Sequence, residues 1–445
     1  MIKKINIENF KCYEKIEFET SKITFITGAN SSGKSSLLYS ILGAIQSREF
    51  PFQFSPNGKY IKMGDFEEIV HNHDKAKLIK LEFESDEFEN GNREIITTYW
   101  KNDKVSNLPV LESLYSKTNY YSLEIEKIRK YNLKFQYFQE KDPNSEARSP
   151  EMVKKIMDLV NSSFINEENS KDKIIANFNK INTTISYKFT DFNELEKFIQ
   201  KEENYYLHQF IRSISRVFTN FDDNLNYISS FRLYPERTYY ETSKIDLKIG
   251  KFGENYEDQI IAWETKKSSE YKELVTILKD LGLLYEIKSK RLDGGRFEIL
   301  IKTKKNGIWS SLSDVGFGIS QFLPIIVSDL QLGTNSTLFI AQPEIHLHPK
   351  IQAQFGDYII GRILKGNKKY IIETHSEYLL NRIRLAIAKK TIEEKDIKTY
   401  FIDNNGTKAK HYDLEFLKNG QIKNAPKSFF DTYMIDVMNI AIEAE

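Results

Sequence analysis

Lys34 and Ser35 end the run Gly28-Ala29-Asn30-Ser31-Ser32-Gly33-Lys34-Ser35, in which two glycines bracket a short polar loop and a Lys-Ser pair closes it. That spacing suits phosphate chemistry. Successive backbone N–H groups from Ala29 to Lys34 can wrap a phosphate, and the start of a following helix favours negative charge. Lys34 would reach the outer phosphates of a nucleotide, and the Ser35 hydroxyl would ligate Mg²⁺. With Ser36, the stretch Gly28–Ser36 is the expected nucleotide-binding loop. An ordinary Gly/Ser loop capping a helix is the alternative.

The elements that must position this loop are legible around it. Ile23–Thr27 is a β-branched and aromatic run that suits a buried strand. Leu37, Leu38, Ile41, Leu42 and Ile45 then recur at helical spacing. A strand before the loop and a helix after it make a chance match rarer. Three later segments also carry chemistry-bearing residues: SLSDVGFGISQFLPII (Ser311–Ile326), TLFIAQPEIHLHP (Thr337–Pro349) and KYIIETHSEYLLNRIR (Lys369–Arg384). His346 and His348 stand two apart, not at the spacing of a helical metal pair, and have no cysteine beside them.

Together with the phosphate loop, these segments resemble the ABC-class ATPases of the OLD-like group. That group includes ATPase subunits of bacterial anti-phage systems such as Septu, and is more distantly similar to SMC and recombination ATPases. IKKINIENFKCYEKIEFE at the start, SFRLYPERTYY (Ser230–Tyr240) and NAPKSFFD (Asn424–Asp431) look like the same group. The resemblance covers both ends well and the middle poorly. It implies an α/β fold: an ABC-type P-loop NTPase head with a mixed central sheet flanked by helices, and an inserted, mainly helical lobe.

It also implies roles. Gly316, Gly318, Ser320 and Gln321 match the signature that contacts the γ-phosphate bound to the opposite subunit, with Ser320 able to donate a hydrogen bond. His375 in Thr374-His375-Ser376 matches the switch histidine; the plainer alternative is that Thr374 or Ser376 caps a helix while His375 lies exposed. TLFI is expected to lie beside the phosphate-loop strand and to end in a carboxylate that holds Mg²⁺-bound water. Ala341 departs from that requirement, because a methyl group can neither accept a hydrogen bond nor offset Mg²⁺ charge. Gln342 can orient water but cannot take its proton. Glu344 is the one nearby carboxylate that could compensate. The expectation is a chain that binds ATP and Mg²⁺ yet hydrolyses ATP slowly or not at all.

The implied assembly is a homodimer, extensible to a higher assembly, that sandwiches two ATP molecules and switches a separate nuclease subunit in an anti-phage complex. One alternative is a DNA-repair or recombination ATPase acting directly on DNA. Another is a non-catalytic scaffold stabilised by nucleotide. Arg232 and Arg237 could bind phosphate or pair with carboxylates.

Composition narrows the class. The chain has 445 residues, 40% hydrophobic and 13% aromatic, enough for a real core. With 64 Lys+Arg against 63 Asp+Glu the net charge is +1, so any DNA contact must come from a local patch. The patch that stands out is KSKRLDGGRFEILIKTKK (Lys288–Lys305), read as a hairpin turning at Asp293-Gly294-Gly295; its lysines could equally blunt an edge strand. The single cysteine, Cys12, excludes an intrachain disulfide framework. There is no signal-like start and no apolar run near the roughly 20 residues a membrane span needs, so a cytoplasmic protein is expected.

The organisation expected is a head part at residues 1–90, a helical insertion at 91–284 whose 228–255 segment returns to the head, and a second head part at 285–445. Helices are expected over Glu112–Tyr131, Pro150–Ile165, Asp191–Phe218 and Asp258–Leu284. The 70 residues after His375 (445 − 375) are too few for a Toprim nuclease and show no Asp-x-Asp. They read as a strand, YFID, and a final helix, YMIDVMNIAIEA.

Overall fold

The protein is described here from a computed structural model covering residues 2–85, 94–118, 121–127, 130–137, 184–189, 194, 205–241, 248–426 and 429. The phosphate-loop strand, β3 (Ile23–Gly28), is buried along its whole length. It sits in a six-stranded sheet with β10 (Leu225–Ile228), β15 (Thr337–Ala341), β16 (Lys369–Glu373), β17 (Ile397–Asn404) and β18 (Ala409–Asp413), in the order β10-β15-β16-β3-β17-β18. Every pairing is parallel except β17 with β18. Near-continuous apolar strands such as TLFIA and KYIIE are what a parallel sheet covered on both faces requires.

One expectation fails here with consequences for the site. The TLFI strand is not beside β3; β16 lies between them. Parallel neighbours are joined by crossovers rather than tight turns, so order along the chain does not dictate order in the sheet. The connection from β15 to β16 runs through the helix Pro349–Lys365, and that from β16 to β17 runs through Glu377–Ala388 and straddles β3.

α1 (Lys34–Gln46) follows the loop and buries Leu37, Leu38, Ile41, Leu42 and Ile45, the residues read from the spacing. One face of the parallel sheet, with Ile26, Phe339, Ala341 and Ile371, packs toward α1. Beyond α1 lies a second sheet, antiparallel and eight-stranded, in the order β2-β1-β4-β5-β6-β7-β8-β9. Its strands are β1 (Ile2–Phe10), β2 (Tyr13–Glu19), β4 (Ile79–Ser85), β5 (Glu94–Asn102), β6 (Pro109–Lys117), β7 (Tyr121–Lys127), β8 (Tyr131–Tyr137) and β9 (Thr184–Phe189). Past the one-turn α2 (Phe66–Ile69), the described helix α3 (Tyr205–Asp223) contributes Phe210, Ile214 and Phe218 to this core.

The expected helical character is corrected for part of the insertion. Its described residues between Glu94 and Phe189 form strands and the turns between them, and Glu112–Tyr131 covers the β6–β7 hairpin and the start of β8, while Tyr205–Asp223, Tyr256–Lys266 and Ser269–Asp280 are helical. Leu123, Ile125, Leu133 and Phe135 are all buried at every second residue, the period of a strand, which the Lys/Glu/Tyr-rich composition conceals. The boundary drawn at residue 90 passes between β4 and β5, which pair from Ile79↔Trp100 to Ser85↔Glu94. The expected helices at Pro150–Ile165 and YMIDVMNIAIEA lie outside the described residues, as does most of the stretch 191–204.

The other face of the parallel sheet, with Ile23, Phe25, Leu338, Ile340 and Ile372, packs on a separate core. It is covered by α6 (Phe317–Gln331), α7 (Pro349–Lys365) and α8 (Glu377–Ala388). The expected helix at Asp258–Leu284 is two, α4 (Tyr256–Lys266) and α5 (Ser269–Asp280). Lys267 adopts positive φ at the break and the Ser268 side chain caps α5. The hairpin β12 (Glu286–Leu292) and β13 (Arg296–Lys302) turns at Asp293–Gly295 as read, and pairs with β11 (Tyr239–Tyr240) and β14 (Ser310–Ser311). Among the described residues no helix is long and apolar enough to cross a membrane.

Candidate functional site

The loop after β3 is shaped by two glycines. Gly28 has φ +142°, and a Cβ there would stand 2.1 Å from the Ile402 carbonyl oxygen. Gly33 has φ +109°, and a Cβ there would stand 2.5 Å from Cys12 Sγ. No side chain fits either place without displacing its neighbours. Lys34 is buried, and its Nζ donates to the loop's own carbonyls at Gly28 (3.1 Å) and Ala29 (2.7 Å). Burial lowers the pKa of that ammonium, while Glu373 and Glu344 oppose the shift. The buried Ser32 Oγ finds no hydrogen-bond partner. A loop bracketed by two glycines that no other residue could replace without shifting its neighbours, with a buried cation and an orphaned hydroxyl, fits a phosphate group.

Around this loop lies a cavity of about 360 Å³ lined by Cys12, Asn30, Ser31, Gly33, Lys34, Ser35, Ser36, Gln342, Glu373 and Asn404. The structure thus brings Gln342 to the phosphate loop, although the two are some three hundred positions apart. Gln342 has positive φ and its backbone N–H donates to the Glu373 carbonyl at 2.7 Å. Ala341 ends β15 in register with Glu373 of β16.

Sequence reasoning misses Glu373, and it is the acid nearest the loop serine. Ser35 Oγ lies 3.0 and 3.2 Å from its two carboxylate oxygens. Burial raises the Glu373 pKa, opposed by that hydrogen bond and by Lys34. The signal is present in the Glu373-Thr374-His375-Ser376 run, but only the strand order gives it meaning. A serine hydroxyl facing a buried carboxylate is an oxygen donor set suited to Mg²⁺.

Glu344 is placed differently. Its oxygens accept from Thr374 Oγ1 (2.8 Å) and the His375 backbone N–H (2.6 Å), so it braces the turn after β16. Burial raises its pKa, against those hydrogen bonds and Arg232. Ser376 caps α8, accepting from Leu379 N at 3.1 Å, while His375 stands exposed. Desolvation and then Lys34 lower the histidine's pKa. Arg232 is buried and donates to the carbonyls of Ala341 (2.8 Å) and Gln342 (3.2 Å), leaving Nε and Nη1 without partners. Burial brings its pKa down to about 10. Arg237 instead pairs with Asp314 at 2.5 Å.

None of Gly316, Gly318, Ser320 and Gln321 lines the phosphate-loop cavity of its own chain. Gly316 precedes the first turn of α6, and a Cβ on Gly318 would stand 2.5 Å from the His346 carbonyl oxygen. The Ser320 hydroxyl donates back to the Phe317 carbonyl (2.9 Å) and the Gln321 amide to the Leu233 carbonyl (3.0 Å). The resemblance implies a Ser320 hydroxyl able to donate to phosphate; in this chain the residue is buried and its hydroxyl donates within α6. His346 packs edge-on to Phe317 at 4.7 Å and His348 caps α7, so both have structural work. No group of metal-binding His, Cys, Asp and Glu appears among the described residues. In the basic hairpin, Lys288 and Lys302 lie over Trp309 and Arg291 pairs with Glu241.

A family model described as "AAA ATPase domain" matches residues 1–380. The chain belongs to that AAA ATPase domain family. Among solved structures, this AAA ATPase-domain chain is similar to an SmcHead bound to the C-winged helix domain of ScpA, at 13% identity and TM-score 0.45, covering 94% of this chain and 98% of that one. It is similar to the SMC head domain from Thermotoga maritima at 11% identity and TM-score 0.38, covering 93% and 99%. A Smc head domain with an extended coiled coil, bound to the C-terminal domain of ScpA derived from Pyrococcus furiosus, gives 11% and 0.38, covering 100% and 99%. No curated protein matches the sequence.

Proposed function

We propose that this AAA ATPase-domain protein is a cytoplasmic ATP-dependent switch. It binds ATP and Mg²⁺ at Gly28–Ser36, closes as a homodimer around two nucleotides, and controls a separate nuclease subunit of an anti-phage complex. The observation that carries the binding step is the cradle itself, with two glycines where no Cβ fits, a buried lysine and an unpartnered Ser32 hydroxyl. Lys34, now held by loop carbonyls, would turn its ammonium to the outer phosphates. Bound Mg²⁺ would supply charge neutralisation on the phosphates.

Gln342 lines the same cavity and can orient a water, but its amide takes no proton. Ala341 supplies neither base nor metal ligand. Hydrolysis is therefore slow and the bound state long-lived. His375 would meet the γ-phosphate from the turn that Glu344 braces. Because Ser320 and Gln321 are turned inward, the backbone N–H groups opening α6 at Phe317 and Gly318 would face the second protomer's phosphate. ATP shifts the assembly only as far as it binds the closed dimer better than the open one. The anti-phage and nuclease parts are supported by the motif resemblance alone.

The test is light scattering and equilibrium ATP binding on the full chain. The expected result is a monomer that doubles its mass with MgATP, no binding or doubling in Lys34→Ala, and near-background phosphate release that Ala341→Glu raises. A native chain that stays monomeric with saturating MgATP refutes the switch, and phosphate release at an ordinary ABC rate refutes the slow site. Direct action on DNA is the second reading, favoured by the exposed Lys290, Lys304 and Lys305 of the hairpin. Charge reversal at Lys304 and Lys305 that leaves duplex affinity unchanged removes it.

A further inference from the structure

We infer that Glu373 is the carboxylate on the metal side of this site, one strand over from the position where Ala341 lacks one. The inference rests on the ATP-binding reading above.

Three observations carry it. First, β16 lies between β15 and the phosphate-loop strand, so the end of β16 stands closer to that strand than the end of β15 at Ala341 does. Second, Ala341, Glu373 and Ile26 are register partners across three parallel strands, so their side chains leave the same face of the sheet, the face that meets α1. The strand spacing is about 4.8 Å, a shift that a glutamate side chain can span toward Ser35. Third, the Ser35 hydroxyl oxygen lies 3.0 and 3.2 Å from the two carboxylate oxygens. Adjacent ligands of an octahedral Mg²⁺ with bonds of about 2.1 Å are separated by roughly 3.0 Å, so this pair already stands at ligand spacing.

The competing assignments fail on contacts. Glu344 is engaged by Thr374 and His375. Lys34 points to the Gly28 and Ala29 carbonyls and makes no ion pair with Glu373. This deeply buried carboxylate is hydrogen-bonded by a serine and has Lys34 acting on it only from outside ion-pair distance, so a divalent cation would add the close positive charge that it lacks.

The test uses the full chain, Mn²⁺ in place of Mg²⁺, and ATP. Electron paramagnetic resonance counts free Mn²⁺, and fluorescent-ATP displacement gives nucleotide affinity in metal and in EDTA. Glu373→Gln is expected to weaken Mn²⁺ retention with ATP by roughly 10–100-fold. In EDTA it should bind ATP no more weakly than the native chain, since a buried negative charge beside the phosphates is gone. Adding Ala341→Glu to Glu373→Gln should restore Mn²⁺ retention, because the two positions are register partners. If thermal melting shows Glu373→Gln unfolded, Glu373→Asp, which withdraws the carboxylate by one methylene, should show an intermediate loss. Unchanged Mn²⁺ retention in either folded variant overturns the assignment while leaving ATP binding intact. Equal loss in metal and in EDTA also overturns it, as a structural role. No ATP binding by the native chain under either condition brings down both the assignment and the function it rests on.

Discussion

Asp329 lies in α6 with no solvent exposure, yet it gathers cations and hydroxyls from two other elements. Arg362 Nε of α7 stands 2.8 Å from it, Lys368 Nζ 3.3 Å, the Tyr370 hydroxyl 2.8 Å, and Tyr358 donates as well. The cluster ties α6 and α7 to the start of β16, the strand that ends at Glu373. Asp329→Asn keeps the shape and removes the charge. Arg362 would retain Glu273 at 2.6 Å, but that acid is substantially exposed, and Lys368 would keep only neutral oxygen acceptors at residue 329 in place of the carboxylate charge. Breaking a buried pair by neutralising one partner costs about 3–5 kcal/mol. Against a typical total of about 5–15 kcal/mol, that is a fifth or more of the fold's stability. Urea unfolding followed by circular dichroism should show the midpoint falling with little change in slope. The exposed pair Arg291–Glu241 is the control, since water screens it and neutralising Glu241 should barely move the midpoint. If Asp329→Asn costs no more than that control, the reasoning that burial makes this cluster expensive to break is wrong.

Cys12 lines the phosphate-loop cavity, so MgATP should slow its alkylation by a maleimide relative to nucleotide-free buffer; equal rates with and without nucleotide would place the nucleotide elsewhere. Burial raises the thiol pKa, so the unprotected reaction should speed up as pH rises above neutral. Glu94 is buried and its carboxyl is pushed up to about 8, with the Ser116 hydrogen bond opposing. Its folded pKa exceeds the ordinary 4.5, so the folded chain holds an extra proton between those values. Stability is then lost as pH rises from about 5 to 8, at up to about 1.4 kcal/mol per unit. Glu94→Gln should flatten that slope in urea titrations at several pH values, and an unaltered slope would assign it to other groups.

The phosphate loop is readable because its chemistry is local. Gly28, Gly33, Lys34 and Ser35 sit within one short run, and the strand and helix around them announce themselves by apolar period. The β12–β13 hairpin is readable for the same reason, since Asp293-Gly294-Gly295 supplies the positive φ its turn needs. The β6–β7 region misleads because glutamate and lysine on the outward-facing positions of a strand give a helix-like composition, and only burial at Leu123 and Ile125 exposes the period of two. Which way the Ser320 hydroxyl turns is not legible, because a hydroxyl in a helix's first turn can bond backward to the Phe317 carbonyl, as it does here, or outward.

What the sequence by itself determined is the class of the site: a loop able to hold phosphate, and a strand end at Ala341 and Gln342 stripped of acid. These follow from residue type and short-range spacing, which the chain carries without folding. What only the tertiary structure decided is which strand stands beside β3, and hence that Glu373 faces Ser35 and Glu344 does not. Parallel strands are joined by long crossovers over helices, and their order is settled by how α1, α7 and α8 pack on the two faces of the sheet. No local pattern encodes that order.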